Sequence, residues 1–402
     1  MWIRREEIMQ NNRNKGLYAA GIFLMMFTAS ICTTTQGVML TNYISYYHLE
    51  SFQQGLMSAF QSGGNLVALF LLGALLGRLT KRKILIITAL AVPAVFLVFG
   101  MKPSFYVLLA GYGVYGMVFA FLDSLSSSIM VDLFQEKSAF SMNLLHGVYG
   151  LGGLLGPVIL KILKANDFAW NEMLLATGVI ALAASAIYIA SAAFAGEPGS
   201  IQPEGDRQIK LTDIIRFLKE RKKQTLFVCA FLYGAHQIGI TVWMTRYVSD
   251  YLGEPELGAL TLSVFWVCVA VSRLVFPVFG WKQGDIIWAG NLISGLAILV
   301  GVVIGDGGIM VGCVGISGLA EGMILPSALD MACHWTMENT TLGSNMVLLA
   351  HYAGFIVTPM VIGAVISVAS VSAGMILPAL LSLAAAALMY WLCRVNRDAK
   401  NA

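Results

Sequence analysis

The sequence predicts an all-α integral membrane protein, with twelve transmembrane helices in two pseudo-symmetric six-helix bundles. Three observations carry this. Of 402 residues, 58% are hydrophobic and only 12% charged, against roughly 25% charged in soluble domains. The apolar residues fall into twelve runs of the ~20 residues needed to cross a hydrocarbon core. Polar and conformationally special residues recur between the two halves at a nearly constant offset.

In chain order the spans are 18–44, 53–77, 84–101, 105–131, 141–164, 172–194, 224–250, 257–279, 285–304, 308–333, 343–369 and 372–393. None alternates at the ~10-residue scale of barrel strands. An even number of spans puts both termini on one side. The segments on that side hold twenty Lys and Arg, the opposite face four, and Arg273 lies inside a span. Positive charge stays in the cytoplasm, which assigns both termini there and the chain to the cytoplasmic membrane of a prokaryote. The polar N-terminus is no signal-peptide core.

The domain organisation follows: a cytoplasmic tail at 1–17, a bundle at 18–194, a cytoplasmic linker at 195–223, a second bundle at 224–393 and a tail at 394–402. The linker opens as GEPGSIQPEGD and continues as IKLTDIIRFLKERKK. In the latter, Leu211, Ile214, Ile215 and Leu218 share one helical face. This segment is read as a cationic amphipathic helix on the inner leaflet, the alternative being a solvated linker.

Between the halves, Asp123 and Asp132 of the fourth span match Glu321 and Asp330 of the tenth at an offset of 198. Asn143, Gly152 and Pro157 match Asn345, Gly354 and Pro359 at 202; Gln36 matches Gln237 at 201, and Gly77 matches Gly280 at 203. Such self-similarity is the mark of a duplicated unit.

A carboxylate at the bilayer centre costs about 3 kcal/mol on insertion scales, and intramembrane ionisable residues default to function. Asp123 and Glu321, each near the middle of its span, are the candidate proton-coupling residues, because burial favours the neutral form of an acid and a change of environment reverses that. The alternative is interhelical hydrogen bonding alone. Asp132 and Asp330 lie at cytoplasmic helix ends, where pairing with loop cations or helix N-termini suits a gating role. Arg273 either snorkels or serves as counter-ion to Glu321 or Asp330. Candidate substrate-binding residues are Gln36, Asn143, His146, Tyr149, His236, Gln237, Trp243, Asn345, His351 and Tyr352. Amides and rings of this kind hydrogen-bond hydroxyls and stack on sugar faces; singly, each is equally suited to joining helices. The six cysteines form no C-x-x-C pair or Cys/His cluster, so neither a disulfide framework nor a metal site is expected, and no cofactor is implied.

The loop GALLGRLTKRKIL, with Gly77, Arg78 and Arg82 as gating candidates, resembles the signature loop of the major facilitator superfamily. The acid usual after Gly-x-Leu is absent, and Lys81 stands near its slot. NLLHGVYGLGGLLGP, the acid in span four and the Arg273 segment VAVSRLVFPVFG resemble the fucose–galactose–glucose:proton symporter group. FLYGAHQIGITVWMTRYV looks like its seventh helix, with His236–Gln237 where many members carry an acid and a small residue. The resemblance implies a monomeric transporter and a part for Asp123 in proton coupling and sugar binding.

The reading that follows is a proton-coupled symporter for a sugar or similar small polar solute, with protons and membrane lipids as its other partners. A proton-coupled efflux antiporter for amphipathic drugs or lipids is the alternative. Sodium in place of the proton stays open. Metalloprotease, nucleophile-elbow and phosphate-loop motifs are missing, which argues against an enzyme or a built-in ATP motor. Only the basic linker hints at nucleic acid, which is no basis for a partner.

Overall fold

The computed structural model describes residues 2–195 and 208–401. The linker stretch GEPGSIQPEGD lies outside the described residues. The helices are α1 (Trp2–Tyr47), α2 (Ser51–Leu75), α3 (Lys81–Gly100), α4 (Phe105–Phe134), α5 (Ser138–Ala165), α6 (Trp170–Ala195), α7 (Leu211–Lys219), α8 (Arg221–Arg246), α9 (Pro255–Val275), α10 (Gln283–Ile304), α11 (Gly307–Glu321), α12 (Ile324–His334), α13 (Thr340–Val368) and α14 (Val371–Asn401). No β-strand occurs among the described residues. Eleven stretches of them are long and apolar enough to cross a membrane, and one of these, Phe105–Ala165, contains both α4 and α5. Backbone groups in hydrocarbon must be paired internally, which is why the spans are helices throughout.

The tenth span, within Gly307–His334, is interrupted: α11 ends at Glu321 and α12 begins at Ile324. Pro326 is the cause, since it has no N–H to close a bond to the carbonyl of Gly322, four residues earlier. At the termini, α1 starts at Trp2 and α14 runs on to Asn401.

The chain divides into two compact units. The first comprises Met1–Gln135, Val148–Lys210 and Glu338–Thr341; the second comprises Glu136–Gly147, Leu211–Met337 and Leu342–Ala402. In the first, α2 packs on α4, and α6 packs on both α1 and α3. In the second, α9 packs on α11, and α14 packs on both α8 and α10. With α11 and α12 counted as one span, both units follow the same pairing plan, as a duplicated six-helix unit requires. Gly77 and Gly280, paired by the repeat, both adopt positive φ, 87° and 61°. Each lies just beyond its span, in a left-handed turn that strains any residue with a Cβ.

Within the first unit, α5 lies close on α1. A Cβ on Gly152 would fall 2.2 Å from the Phe27 carbonyl oxygen. Van der Waals contact between helices drives association in lipid, and small residues permit it. In the second unit, α7 buries Asp213 and Phe217 and leaves Leu211 and Ile215 outward, 70% and 43% exposed. Ile214 and Leu218 of the same helix are half-buried.

Gly152→Val is expected to force α1 and α5 apart and to cost stability on the scale of core overpacking, about 1–3 kcal/mol. Gly37→Ala, where nothing lies within 4 Å of the new Cβ, is expected to leave it unchanged. Thermal unfolding in detergent, followed by retention of the monodisperse species, measures both.

Candidate functional site: a buried acid–imidazole pair at a helix break

The interruption after Glu321 organises the second unit. Gly322 loses its backbone partner to Pro326, and Arg273 of α9 takes its place: Nε donates to the Gly322 carbonyl at 2.7 Å. The same guanidinium donates through Nη1 to the His146 carbonyl at 3.3 Å. The Glu321 carbonyl accepts a longer bond, 3.4 Å, from the Tyr233 hydroxyl of α8. The helix resumes with Ser327 N–H on the Met323 carbonyl. Arg273 is buried rather than snorkelling, and its bond to the Gly322 carbonyl fills the gap left by a proline.

The Glu321 side chain is fully buried, and neither carboxyl oxygen has a hydrogen bond. Its Oε2 lies 3.4 Å from Nε2 of His236, which is also fully buried. The imidazole is oriented from both sides. Nδ1 lies 2.8 Å from the Pro378 carbonyl, which can only accept, so Nδ1 carries a hydrogen. Nε2 lies 2.6 Å from the Ser294 hydroxyl, itself 2.7 Å from the Ser317 hydroxyl. With Nδ1 protonated, Nε2 of a neutral ring accepts from the Ser294 hydroxyl, and the carboxyl Oε2 lies 3.4 Å from it without a hydrogen bond.

Gln237 donates from Nε2 to the Tyr233 hydroxyl at 2.8 Å. His351 stacks on Tyr233, centroids 5.4 Å apart, and packs against Phe355 at 4.5 Å; its buried Nδ1 has no partner. Tyr352 lies beside His351, centroids 5.8 Å apart. The second unit thus brings together Tyr233, His236, Gln237, Arg273, Glu321, His351 and Tyr352. Asn345 and His146 are buried in the same unit. Asn143 turns back on its own helix, donating to the Ala139 carbonyl. Trp243 lies apart, against the apolar cluster of Ile240, Met244 and Phe265. Asp330 accepts from Gln283 at 2.8 Å and lies 3.4 Å from His334 Nδ1.

In the first unit Asp123 is buried in the middle of α4, with Ser124, Ser126, Ser127 and Ser128 fully buried around it. Gln36 is half-buried and donates to Ser58; the Tyr149 ring meets Phe119 at 5.6 Å. Asp132 pairs with Lys81 at 2.7 Å and accepts from Thr340 at 2.8 Å. Arg82 donates to the Ala192 carbonyl, and Arg78 is exposed beside the turn at Gly77. No group of three or more metal-ligating side chains occurs among the described residues.

Sequence reasoning missed Ser294, Ser317 and the Pro378 carbonyl. A lone serine in a span carries no signal, and a carbonyl carries none at all. The spacing Gly322-x-x-x-Pro326 beside an acid was the available clue to the break.

Arg273→Met is expected to leave the Gly322 carbonyl bare and to cost about 1.5–3 kcal/mol, the range for hydrogen bonds to charged groups. Adding Pro326→Ala restores an N–H four residues on, so the double variant is expected to recover part of the loss. Thermal unfolding of the three variants measures this; no recovery would refute the gap-filling role.

The Major Facilitator Superfamily model matches residues 22–287 of the chain. No curated protein sequence matches it. Solved structures do. A crystal structure of the Major Facilitator Superfamily transporter FucP, in the outward conformation, aligns over 94% of this chain and 99% of its own, with TM-score 0.76 and 15% identity. The E. coli fucose:proton symporter FucP, as a single-residue variant, aligns over 94% and 98%, with TM-score 0.75 and 14% identity. The human organic anion transporter MFSD10 aligns over 94% and 99%, with TM-score 0.72 and 15% identity. At such identities the shared property is the fold. The family match covers well over half of the chain, which therefore belongs to the Major Facilitator Superfamily and is a multi-pass membrane transporter, not an enzyme.

Proposed function

We propose that this transporter is a symporter that couples proton movement to uptake of a sugar or similar small polar solute by alternating access. The observation that carries the reading is the Glu321–His236 pair. It is a fully buried acid 3.4 Å from an imidazole whose other nitrogen is committed to a carbonyl. Neither carboxyl oxygen has a hydrogen bond, and an unpaired buried charge is costly, so loading and release of a proton there change the local energy. Asp123 is the corresponding acid of the first unit, buried in a serine-rich stretch. The fold shared with the fucose:proton symporter FucP is consistent with such coupling.

His351, Tyr352, Gln237 and Asn345 are the candidate solute contacts of the second unit. An imidazole and a phenol stacked as His351 and Tyr233 are offer a flat apolar face beside hydrogen-bonding groups. Gln36, Asn143, His146 and Tyr149 are the remaining candidates, and Asp132, Asp330, Arg78 and Arg82 are proposed to act in gating. If proton and solute bind cooperatively, each raises affinity for the other. The Lys and Arg asymmetry supports cytoplasmic termini in a prokaryotic cytoplasmic membrane, and the unit is read as a monomer. The likeness to an organic anion transporter favours a second reading, proton-coupled export of amphipathic solutes.

The test is proton flux in vesicles with a trapped pH dye, using hexoses, pentoses, disaccharides and amphipathic ions as solutes. One sugar is expected to acidify the lumen in the unmodified protein and not in Asp123→Asn. Glu321→Gln mimics a permanently protonated acid, so it is expected to keep exchange between equal solute pools and to lose proton-driven accumulation. Proton movement with amphipathic ions alone would overturn the symport reading in favour of export.

A further inference from the structure

The outward side of the second unit carries a cleft that the proposed transport site does not use. Its volume is about 450 Å³, within the ~300–1,000 Å³ of small-ligand pockets. Phe276, Trp281, Ile286, Ile293, Ile316 and Leu319 line it. Ile293 and Ile316 are 48% and 50% exposed, so the cleft opens sideways between helices that span the membrane. Hydrocarbon, not water, lies outside that opening. An apolar cavity holds water poorly, because a buried water needs several polar partners.

The two ends of the cleft differ. One end lies at the start of α10, where the exposed Trp281 lines it. An exposed aromatic ring at a span end marks the interfacial level of a bilayer. Asp285 lines the same end, with its Oδ1 accepting from the Trp288 indole at 3.0 Å. Most of the remaining lining is hydrocarbon side chain. An apolar slot that opens sideways into hydrocarbon fits an apolar chain.

The back wall matters most. Ala320 and Met323 line the cleft, and they flank Glu321 and Gly322, whose carbonyls are held by Tyr233 and Arg273. Ser272, adjacent to Arg273 in sequence, also lines it and is fully buried, with no hydrogen bond on its hydroxyl. The cleft therefore borders the helix break that carries Glu321.

We propose that this cleft binds one acyl chain of a membrane phospholipid, and that the bound chain braces the break between α11 and α12. The claim concerns binding and stands whether or not the solute is a sugar.

The test uses the full chain, delipidated in detergent and titrated with dioleoyl phosphatidylglycerol under native mass spectrometry. One lipid is expected to resist collisional removal in the unmodified protein. Ala289→Trp puts an indole into the cleft and is expected to weaken that retention about tenfold, the equivalent of about 1.4 kcal/mol. Val303→Trp, on an outward position of the same helix outside the cleft, is expected to leave it unchanged. Should Ala289→Trp not yield a monodisperse protein, Ile316→Asn is measured in its place. Hydrogen exchange at residues 322–325 is expected to slow when the lipid is bound. Equal retention in every variant, or no retained lipid at all, would overturn the site; retention without slowed exchange would overturn the bracing.

Discussion

The bond from Arg273 to the Gly322 carbonyl is the constraint on which the second unit turns. Pro326 removes one backbone donor in the middle of a span, where no water replaces it. A bare carbonyl in hydrocarbon is costly, and so is a buried guanidinium without acceptors. Each meets the other's need, and the second acceptor, the His146 carbonyl, draws the start of α5 into the same network. The break then frees the Glu321 carbonyl for the Tyr233 hydroxyl and leaves the carboxyl group facing His236.

The two halves show how a duplicated plan diverges. At the offset that pairs Asp123 with Glu321, the counterpart of Pro326 is Ser128, which keeps its N–H. The fourth span accordingly runs unbroken from Phe105 to Phe134, with Asp123 inside it. The second acids keep a shared geometry with different chemistry. Asp132 meets Lys81 at the start of α3 at 2.7 Å, and Asp330 meets Gln283 at the start of α10 at 2.8 Å. Lys81 and Gln283 are themselves 202 residues apart. In the first pair the partner is a cation and in the second a neutral amide.

Imidazole tautomer, rather than proximity alone, gives the proposed proton site its character. A ring free to rotate accommodates an acid in several ways. His236 is held at both nitrogens, by a carbonyl on one side and a serine pair on the other. The positions that enforce this come from α8, α10, α11 and α14, which are distant in sequence. The hydroxyls of Ser294 and Ser317 matter only because those helices pack together.

The helical class and the run of apolar spans were legible in the sequence because each is local. A run of ~20 apolar residues has few alternatives to a crossing helix. The candidate acids were legible too, since a charge among apolar residues stands out wherever it lies. Partnership was not. Arg273 had two candidate acceptors in the sequence, Glu321 and Asp330, and the structure supplied a third that no side-chain pattern encodes, a backbone carbonyl orphaned by a proline. Trp243 and His236 lie seven residues apart on one helix, yet one enters an apolar cluster and the other the acid site. Hydrophobic length is a property of a segment, whereas the pairing of a polar group is decided by whichever donor or acceptor the packing of other segments brings within about 3 Å.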